Sequence, residues 1–398
     1  MSKRIEAGDT AGVTDTIPHA RSVVGTRLIF FLAGFAISAW APLVPIVKSQ
    51  LTLCESLLGS LLLCVGLGSV LTMPIAGGLA ARFGCRSVTQ VAACVLLVGL
   101  IFVVIAPTAP ILGVALLLVG AGMGTVDVVM NIQAVMVERA AERPMMSGFH
   151  ALFSIGGIAG AGLMSTLLGL RFTPLLAMAC VVSAGFVILV GAHRGLLSTG
   201  LKSEGPPMAL PRGPVLTLGI MCLVLFLAEG SVLDWSGVHL RENFSAPESQ
   251  AGWGYIAFSA TMSLGRLTGD RIVAHIGRRV ALLGGLILAG IGFAIVAHAP
   301  TPELVWLGYA IVGAGAANVV PILFTLAGNQ SAMPSHLAVS AVTTMGYAGF
   351  LAGPAIIGFV AQGTSLLAAF GLLGLGISAC LPLAQLAVSE KQSATTTS

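Results

Sequence analysis

Long apolar runs dominate the chain, and each run ends where charged or turn-forming residues cluster. About 20 apolar residues cross the hydrocarbon core of a bilayer as one helix. The first half contains six such runs, near 26–48, 55–80, 87–107, 110–138, 147–169 and 172–193. After a polar, proline-bearing stretch, six more lie near 215–239, 249–273, 279–299, 302–328, 336–361 and 364–388. The pattern predicts an all-α, polytopic membrane protein with twelve transmembrane helices in two bundles of six.

The same pattern divides the chain into five segments. We expect a cytoplasmic, disordered tail, an N-terminal six-helix bundle, a cytoplasmic linker, a C-terminal six-helix bundle and a second cytoplasmic tail. The predicted bounds are 1–21, 22–194, 195–213, 214–389 and 390–398. The first segment lacks the basic start and apolar core of a signal peptide.

Composition agrees with a lipid environment. Only 9% of the residues are charged, against about 25% in soluble globular proteins, and the mean hydropathy is +1.00. The seven cysteines form no C-x-x-C pair, so we expect neither a disulfide framework nor a metal site. No cofactor is indicated.

The placement of lysine and arginine predicts the orientation. Cytoplasmic loops of membrane proteins carry an excess of these residues. We place both termini on the cytoplasmic side of the inner (cytoplasmic) membrane. The outer segments then hold only Lys48, Arg171 and Arg241, and Arg266 lies within a span. The chain has 19 lysine and arginine residues, and the remaining ones are predicted to be cytoplasmic: Lys3, Arg4, Arg21, Arg27, Arg82, Arg86, Arg139, Arg143, Arg194, Lys202, Arg212, Arg271, Arg278, Arg279 and Lys391. The net charge of +4 therefore reports topology and not affinity for nucleic acid.

Three glycine motifs recur at a constant separation of 193 residues. Gly84-x-Arg86 recurs as Gly277-x-Arg279, and Gly120-Ala121-Gly122 recurs as Gly313-Ala314-Gly315. The third pair is Gly156-x-x-Ala159-Gly160 and Gly349-x-x-Ala352-Gly353. We interpret the glycines of this third pair, together with Gly157 and Gly162, as packing residues, because small side chains let membrane helices approach closely. One common shift implies two parallel repeats, with a binding site where the halves meet.

Two halves of six spans joined by a cytoplasmic linker resemble the major facilitator superfamily. The segment GGLAARFGCR (77–86) resembles the family signature G-x-L-A-D-R-x-G-R-R, although Ala81 and Cys85 depart from it. The second half has GRLTGDRIVAHIGRR (265–279) at the matching place. The segments GTVDVVMNIQAVMVE and MGYAGFLAGPAIIGF resemble the fucose-permease-like branch. The resemblance implies a monomeric secondary transporter that uses alternating access, coupled to protons, with a sugar or sugar-like substrate.

Asp127 in span four is the first candidate for proton coupling. A carboxylate in mid-membrane costs about 2.5–3.5 kcal/mol on insertion scales. On a helix, Asn131 lies about 40° and Glu138 about 20° from Asp127, so one polar stripe should face protein or water. The Asp127-x-x-x-Asn131 pair resembles the acid and asparagine of fucose-permease-like proton symporters. The alternative is a protonated aspartate with a structural hydrogen bond.

Glu229 in span seven is the second candidate for proton coupling. Lipid surroundings disfavour a charged carboxylate, so we expect Glu229 to bind a proton near neutral pH. Span one contains no acidic residue, so the coupling scheme of the fucose permeases does not transfer whole. Further candidates for substrate binding are Asn131, Trp40, Asp234, Trp235, Asn318, Tyr347 and His150. For His150 a surface or capping role is the alternative.

Charged residues at the cytoplasmic ends of the spans predict a gate whose ion pairs break on opening. Arg266 and Asp270 are four residues apart on span eight, a spacing that suits an ion pair. The predicted gate residues are Arg82, Arg86, Glu138, Arg139, Arg266, Asp270, Arg278 and Arg279. Static structural pairs or contacts with lipid headgroups are the alternatives.

Several functional classes are not supported. The chain has no G-x-x-x-x-G-K-[ST] and no H-E-x-x-H, and its short loops leave no room for a catalytic domain, so we do not expect an enzyme. The expected partners are a small-molecule substrate, protons and the lipid bilayer. The rival hypotheses are a drug or metabolite exporter of the same fold, and a non-transporting receptor or scaffold.

Overall fold

The computed structural model describes residues 19–53, 55–198, 209–245 and 253–395. Within these ranges the chain is helical and contains no strand. The predicted N-terminal tail up to residue 18, linker residues 199–208 and the last three residues lie outside the described residues, as do Lys3, Arg4, Cys54 and Lys202.

Within its described residues, the first half of the chain forms six helices. In chain order they are α1 (His19–Ser38), α2 (Val44–Gln50), α3 (Glu55–Ile105), α4 (Ala109–Ala141), α5 (Met146–Gly169) and α6 (Pro174–Ala192). A 3-10 turn, Ala41–Leu43, separates α1 from α2. Pro42 and Pro45 cause this break because proline lacks the amide hydrogen that a continuing helix needs.

The described residues of the second half form seven helices. They are α7 (Pro214–Phe244), α8 (Trp253–Ile276), α9 (Arg278–His298), α10 (Pro302–Ala316), α11 (Val319–Asn329), α12 (Ser335–Gly363) and α13 (Leu366–Thr395). α10 and α11 are two parts of one span, interrupted at Asn318. The ring of Pro321 conflicts with a helical carbonyl four residues earlier, at Ala317, so this break follows from the local sequence.

The helices of the described residues are consistent with twelve membrane-crossing segments. Nine segments of the described chain are long and apolar enough to cross a bilayer. One of them is the 46-residue Ser60–Ile105, whose straight length would be about 69 Å, more than twice the hydrocarbon thickness. It bends at Gly84 and forms two spans. The remaining two spans are α8 and α12. α8 has 24 residues but carries three charges, and α12 is bent by 41° near Gly353. The predicted fold is therefore confirmed.

The two halves repeat each other in backbone conformation. Gly84 has φ 82° and ψ 151°, and Gly277, 193 residues later, has φ 81° and ψ 154°. Side chains other than glycine rarely adopt a positive φ. Both glycines therefore make the same turn between consecutive spans.

The repeat extends to helix packing. Gly120 lies against the carbonyl of Val65, and Gly313 lies against the carbonyl of Phe258. Both partners are also separated by 193 residues. A Cβ atom at either glycine would overlap the carbonyl, so close backbone contact holds these helices together.

One end of the molecule is rich in arginine. The Arg278 guanidinium lies 3.5 Å from the Glu138 carboxylate, so the end of α4 and the start of α9 meet here. Arg139, Arg143 and Arg279 lie on the same short segments. We call this the arginine-rich end.

Gly160 and Gly162 offer a matched test of backbone packing within α5. A Cβ at Gly160 would overlap the carbonyl oxygen of Phe35, whereas a Cβ at Gly162 would have no atom within 4 Å. We expect Gly160→Ala to destabilise the protein by about 1–3 kcal/mol, as overpacking does, and Gly162→Ala to have little effect. Fluorescence-detected size-exclusion chromatography after heating measures the apparent melting temperature. Equal melting temperatures would contradict the packing assignment.

Candidate functional site

Asp127 lies in α4 and is only 8% exposed. Asn131, one turn later, is fully buried, and its Nδ2 donates to the Asp127 carbonyl at 2.9 Å and approaches Oδ1 at 3.5 Å. The Oδ1 atom of Asn131 has no hydrogen-bond partner among the described residues. The predicted polar stripe is therefore present inside the protein, and not on its lipid-facing surface.

Asp127 and Glu229 face a common region between the two halves. Both carboxyl groups lie within electrostatic range of Tyr347 on α12 and of Cys222 on α7. Glu229 belongs to the C-terminal half, yet 27% of its side chain is exposed near the middle of its helix. A partly exposed carboxylate that faces another helix bundle lines a space between bundles, because lipid offers it no hydrogen bonds.

Arg266 forms an ion pair with Glu229, at 3.8 Å between Nη2 and Oε2. The predicted ion pair between Arg266 and Asp270 is wrong. Asp270 instead accepts hydrogen bonds from the backbone of α5. A buried guanidinium needs a carboxylate at its own depth, and α7 provides one.

His150 lies inside the protein. Its ring stacks on Phe324 of α11 at 5.7 Å and contacts Phe30 of α1 edge-on at 5.2 Å. The buried Nε2 atom has no hydrogen-bond partner within the described ranges, and Arg266 lies within electrostatic range. The surface and capping roles considered for His150 are therefore wrong, and the ring lies between helices of both halves.

The other predicted substrate-binding residues are spread over different environments. Asn318 connects three helices, because its Oδ1 accepts from Ser147 Oγ at 2.7 Å and its Nδ2 donates to the Gly265 carbonyl at 3.3 Å. Tyr347 is half-buried beside Phe226. The structure therefore places Tyr347 with the central carboxylates and gives Asn318 a bridging role.

The remaining three candidates lie apart from the central carboxylates. Trp40 is buried in the turn after α1, and its indole nitrogen has no hydrogen-bond partner among the described residues. Asp234 is exposed, and Trp235 lies against Gly358. Both are more than one turn beyond Glu229, about 8 Å along α7.

The first four N–H groups of α5 are bound by two carboxylates. Glu138 Oε2 accepts from the N–H groups of Met145 and Met146 at 2.8 and 2.9 Å. Asp270 accepts from the N–H groups of Ser147 and Gly148 at 3.0 and 2.9 Å. These four N–H groups have no partner inside the helix, and negative charge is favoured at a helix N-terminus.

These carboxylates join the halves at the arginine-rich end. Asp270 belongs to the C-terminal half and α5 to the N-terminal half. Glu138 Oε1 also accepts from Thr325 Oγ1 of α11 at 2.7 Å and lies 3.5 Å from Arg278. This end of the protein is therefore closed.

Three further hydrogen bonds cross between the halves nearby. Arg139 Nε donates to Asn329 Oδ1 at 2.7 Å, and its Nη2 lies 3.4 Å from Ser335 Oγ. Ser340 Oγ donates to the Met73 carbonyl at 2.5 Å. The sequence did not single out Ser147, Thr325 or Asn329. Polar residues four positions apart in a nearly apolar helix, as at 325 and 329, were the available signal.

Comparison with known proteins identifies the family. The model of the Major Facilitator Superfamily matches residues 218–397. An uncharacterised MFS-type transporter of Yersinia pestis is 50% identical over 359 residues, which cover 90% of this chain and 94% of that relative. The chain belongs to the major facilitator superfamily. It is thus a multi-pass membrane transporter, and a small-molecule substrate follows from that membership.

Solved structures of superfamily members share the fold. The human organic anion transporter MFSD10 has a TM-score of 0.75 at 17% identity, covering 92% of this chain and 99% of that chain. The E. coli fucose:proton symporter FucP has a TM-score of 0.76 at 14% identity, covering 94% of this chain and 98% of that chain. At these identities the likeness concerns the fold alone.

The superfamily signature loop of the first half makes contacts within its own half. Arg86 Nε donates to the Leu196 carbonyl at 2.9 Å, and the Arg82 guanidinium lies over the Phe83 ring at 5.2 Å. Among described residues, no hydrogen bond or ion pair joins either side chain to the C-terminal half. Their predicted place in the gate stays a prediction, and in this closed state Arg86 anchors the segment after α6. Arg279 is exposed.

Asp270→Asn is expected to weaken closure of the arginine-rich end. Asparagine keeps the shape but has one acceptor oxygen and no charge, so one α5 N–H group loses its partner. A hydrogen bond to a charged group contributes about 1.5–3 kcal/mol, so the open population should rise about 10- to 100-fold. Double electron–electron resonance measures the opening as a change in the distance between spin labels at Ala140 and His275. The labelled protein lacks the native cysteines.

The exposed acid Glu142 provides the matched control for this measurement. Glu142→Gln removes one negative charge at the same end of the molecule, and we expect it to leave the distance distribution unchanged. Identical distributions for Asp270→Asn and the unmodified sequence would contradict the assignment of Asp270 to the closed gate.

Proposed function

We propose that this chain is a secondary transporter that moves a small solute by proton-coupled alternating access. One observation carries the proposal. Asp127 of the N-terminal half and Glu229 of the C-terminal half approach the same residues between the halves. Ionisable residues within membrane spans are costly and mark ion or substrate pathways.

Protonation of these carboxyl groups would change the balance between the two open states. A charged carboxylate is stabilised where water reaches it, whereas a neutral carboxyl tolerates a closed, dry environment. Proton uptake at Asp127, together with Glu229, would therefore allow the space between the halves to close on the side from which the proton entered.

The closed arginine-rich end supplies the opposing free energy. Asp270, Glu138, Arg139 and Arg278 bind across the halves there. These contacts must break when this end opens, and each hydrogen bond to a charged group contributes about 1.5–3 kcal/mol.

A sugar or sugar-like metabolite is the substrate class that the resemblance to fucose permeases favours. The half-buried Tyr347 and the unpaired Asn131 Oδ1 are polar groups suited to a hydroxylated solute. Asn318 is assigned to bridging between helices and not to the solute. An exporter of the same fold is the alternative, and a scaffold without transport is the other.

We infer the orientation from the distribution of arginine. The arginine-rich end is placed in the cytoplasm, with both termini on that side of the inner membrane, in accordance with the positive-inside rule. The bundle bounds 22–194 and 214–389 and a monomeric state complete the proposal.

Asp127→Asn tests the proton coupling directly. We expect proteoliposomes of the unmodified protein to take up solute faster under a proton gradient, and Asp127→Asn to lose this dependence, because an amide does not titrate. Radiolabelled uptake from a sugar panel at several external pH values measures it. Glu242→Gln, at an exposed acid, is the control. A pH dependence retained by Asp127→Asn would exclude this residue from coupling.

Reporter fusions test the orientation. A fluorescent protein fused after Ser398 should fluoresce in cells, since it folds on the cytoplasmic side. Alkaline phosphatase should be active when fused after Arg171 and inactive when fused after Arg143. The reverse activities would place the arginine-rich end outside the cell.

A further inference from the structure

Arg266 is a buried arginine that uses few of its hydrogen-bond donors. The residue is 8% exposed. Its ion pair with Glu229 measures 3.8 Å, longer than the usual 2.7–2.9 Å of a charge-assisted hydrogen bond. Its Nε atom is buried and has no hydrogen-bond partner among the described residues. A guanidinium has five N–H donors, and buried donors are normally satisfied. Arg266 therefore has binding capacity that the described residues do not use.

The ionisable groups in the region of Arg266 come from four other helices. Glu229 of α7 pairs with Arg266, and His150 of α5 lies within electrostatic range of it. Asp127 of α4 and Glu229 both lie near Tyr347 of α12. The guanidinium is thus at the region where the halves meet, beside the partly exposed Glu229.

The chemistry of this cluster selects a carboxylate as the ligand. The planar guanidinium fork matches two carboxylate oxygens in a bidentate pair. A phosphate dianion would bring two negative charges to one arginine that already pairs with Glu229, which disfavours it. A neutral hydroxylated solute would leave the ion pair intact and gain only weaker hydrogen bonds.

We propose that Arg266 binds the carboxylate of a small organic acid, which replaces Glu229 as the partner of the guanidinium. This inference rests on the proposed function and narrows the substrate of that same site to an acid, so that an acidic sugar derivative takes the place of a neutral sugar. It also assigns Glu229 a second task, since the residue holds Arg266 neutralised while no substrate is bound.

Substrate binding and proton uptake are then linked by charge balance. When the substrate carboxylate pairs with Arg266, Glu229 becomes an unpaired anion inside the membrane, which is unfavourable. Glu229 takes one proton from the aqueous path and becomes neutral. The groups near it are Arg266 and Tyr347 from other helices and Cys222 from its own helix, and Asp127 lies within electrostatic range of the same tyrosine and cysteine. One anion and one proton enter together, so the net charge of the cluster is unchanged.

Matched pairs of an acid and its neutral analogue test the ligand class. The probes are gluconate with glucose, lactate with 1,2-propanediol, and benzoate with benzyl alcohol, at constant ionic strength. The thermal stability of the purified full-length protein in detergent is measured with each compound. At least one acid should raise the melting temperature, and its neutral partner should not.

Substitution of Arg266 tests the site itself. Arg266→Gln should weaken binding of the stabilising acid about 10- to 100-fold, the effect of a lost hydrogen bond to a charged group. Arg266→Lys keeps the charge without the fork and should be intermediate. Arg271→Gln removes an exposed arginine from the same helix and should bind as the unmodified protein does. A shift by neutral compounds, or an acid shift that survives Arg266→Gln, overturns the proposal.

Rescue by acetate gives a readout that does not depend on the natural substrate. Glu229→Ala leaves Arg266 without its carboxylate, so millimolar acetate should stabilise this variant more than the unmodified protein. The double variant Glu229→Ala/Arg266→Gln should not be stabilised by acetate. Glu229→Gln removes the charge but keeps the shape of the side chain, and it serves as the control for the change of shape. Acetate rescue supports the proposal even if no acid of the panel binds. Absence of both rescue and acid binding overturns it.

These binding measurements require no proton gradient and no turnover. Acid binding that depends on Arg266, in a protein whose uptake shows no proton dependence, would reject the coupling and retain the ligand class. Proton-coupled uptake of a neutral solute that Arg266→Gln leaves unchanged would reject only the ligand class.

Discussion

The start of α5 is the structural element on which closure of the protein depends. Any helix begins with N–H groups that lack internal partners, and where such groups are buried away from water, as at Met145, Met146 and Ser147, they must be satisfied by protein. Here Glu138 of the same half binds two of them, and Asp270 of the other half binds the next two. A Cβ at Gly148 would meet the Asp270 carboxylate at 2.6 Å, so glycine permits this approach. The two halves are thus held together by hydrogen bonds to N–H groups that every helix leaves without an internal partner.

This closure is in direct contact with the charged centre of the protein. Asp270 binds the start of α5, and Ser147 in that first turn binds Asn318. Asn318 in turn donates to the carbonyl of Gly265, which precedes Arg266. A continuous series of hydrogen bonds therefore extends from the closed end to the arginine that pairs with Glu229. Movement of α8 relative to α5 would alter both places together, which is the physical requirement for alternating access.

The repeat is preserved in backbone geometry but not in its charges. Gly84 and Gly277 have nearly equal dihedral angles, because only glycine fits that turn. Asp270, however, is separated by 193 residues from Gly77, which packs on the carbonyl of His336 at the start of α12. One half thus closes through a carboxylate and the other through close backbone contact. Such asymmetry lets the two halves share a fold while the charged gate lies mainly on one side.

Much of this architecture could be predicted from local sequence. The length of each apolar run predicts a span, and the constant shift of 193 residues predicts two similar halves. The breaks near Pro42, Pro45 and Pro321 follow from the chemistry of proline. Asp127 and Glu229 were recognised as unusual because charge is rare in membrane helices. Each of these inferences depends on neighbours in the chain or on the bilayer as solvent.

The sequence by itself determined the number of spans, the repeat and the presence of carboxyl groups and an arginine within the membrane. Only the tertiary structure decided which charges meet. Spacing along α8 predicted Arg266 with Asp270, but their side chains point to different neighbours, Glu229 of α7 and the backbone of α5. Ion pairing is set by depth and helix rotation, and these depend on how helices distant in the chain pack together. Residue spacing within one helix does not contain that information.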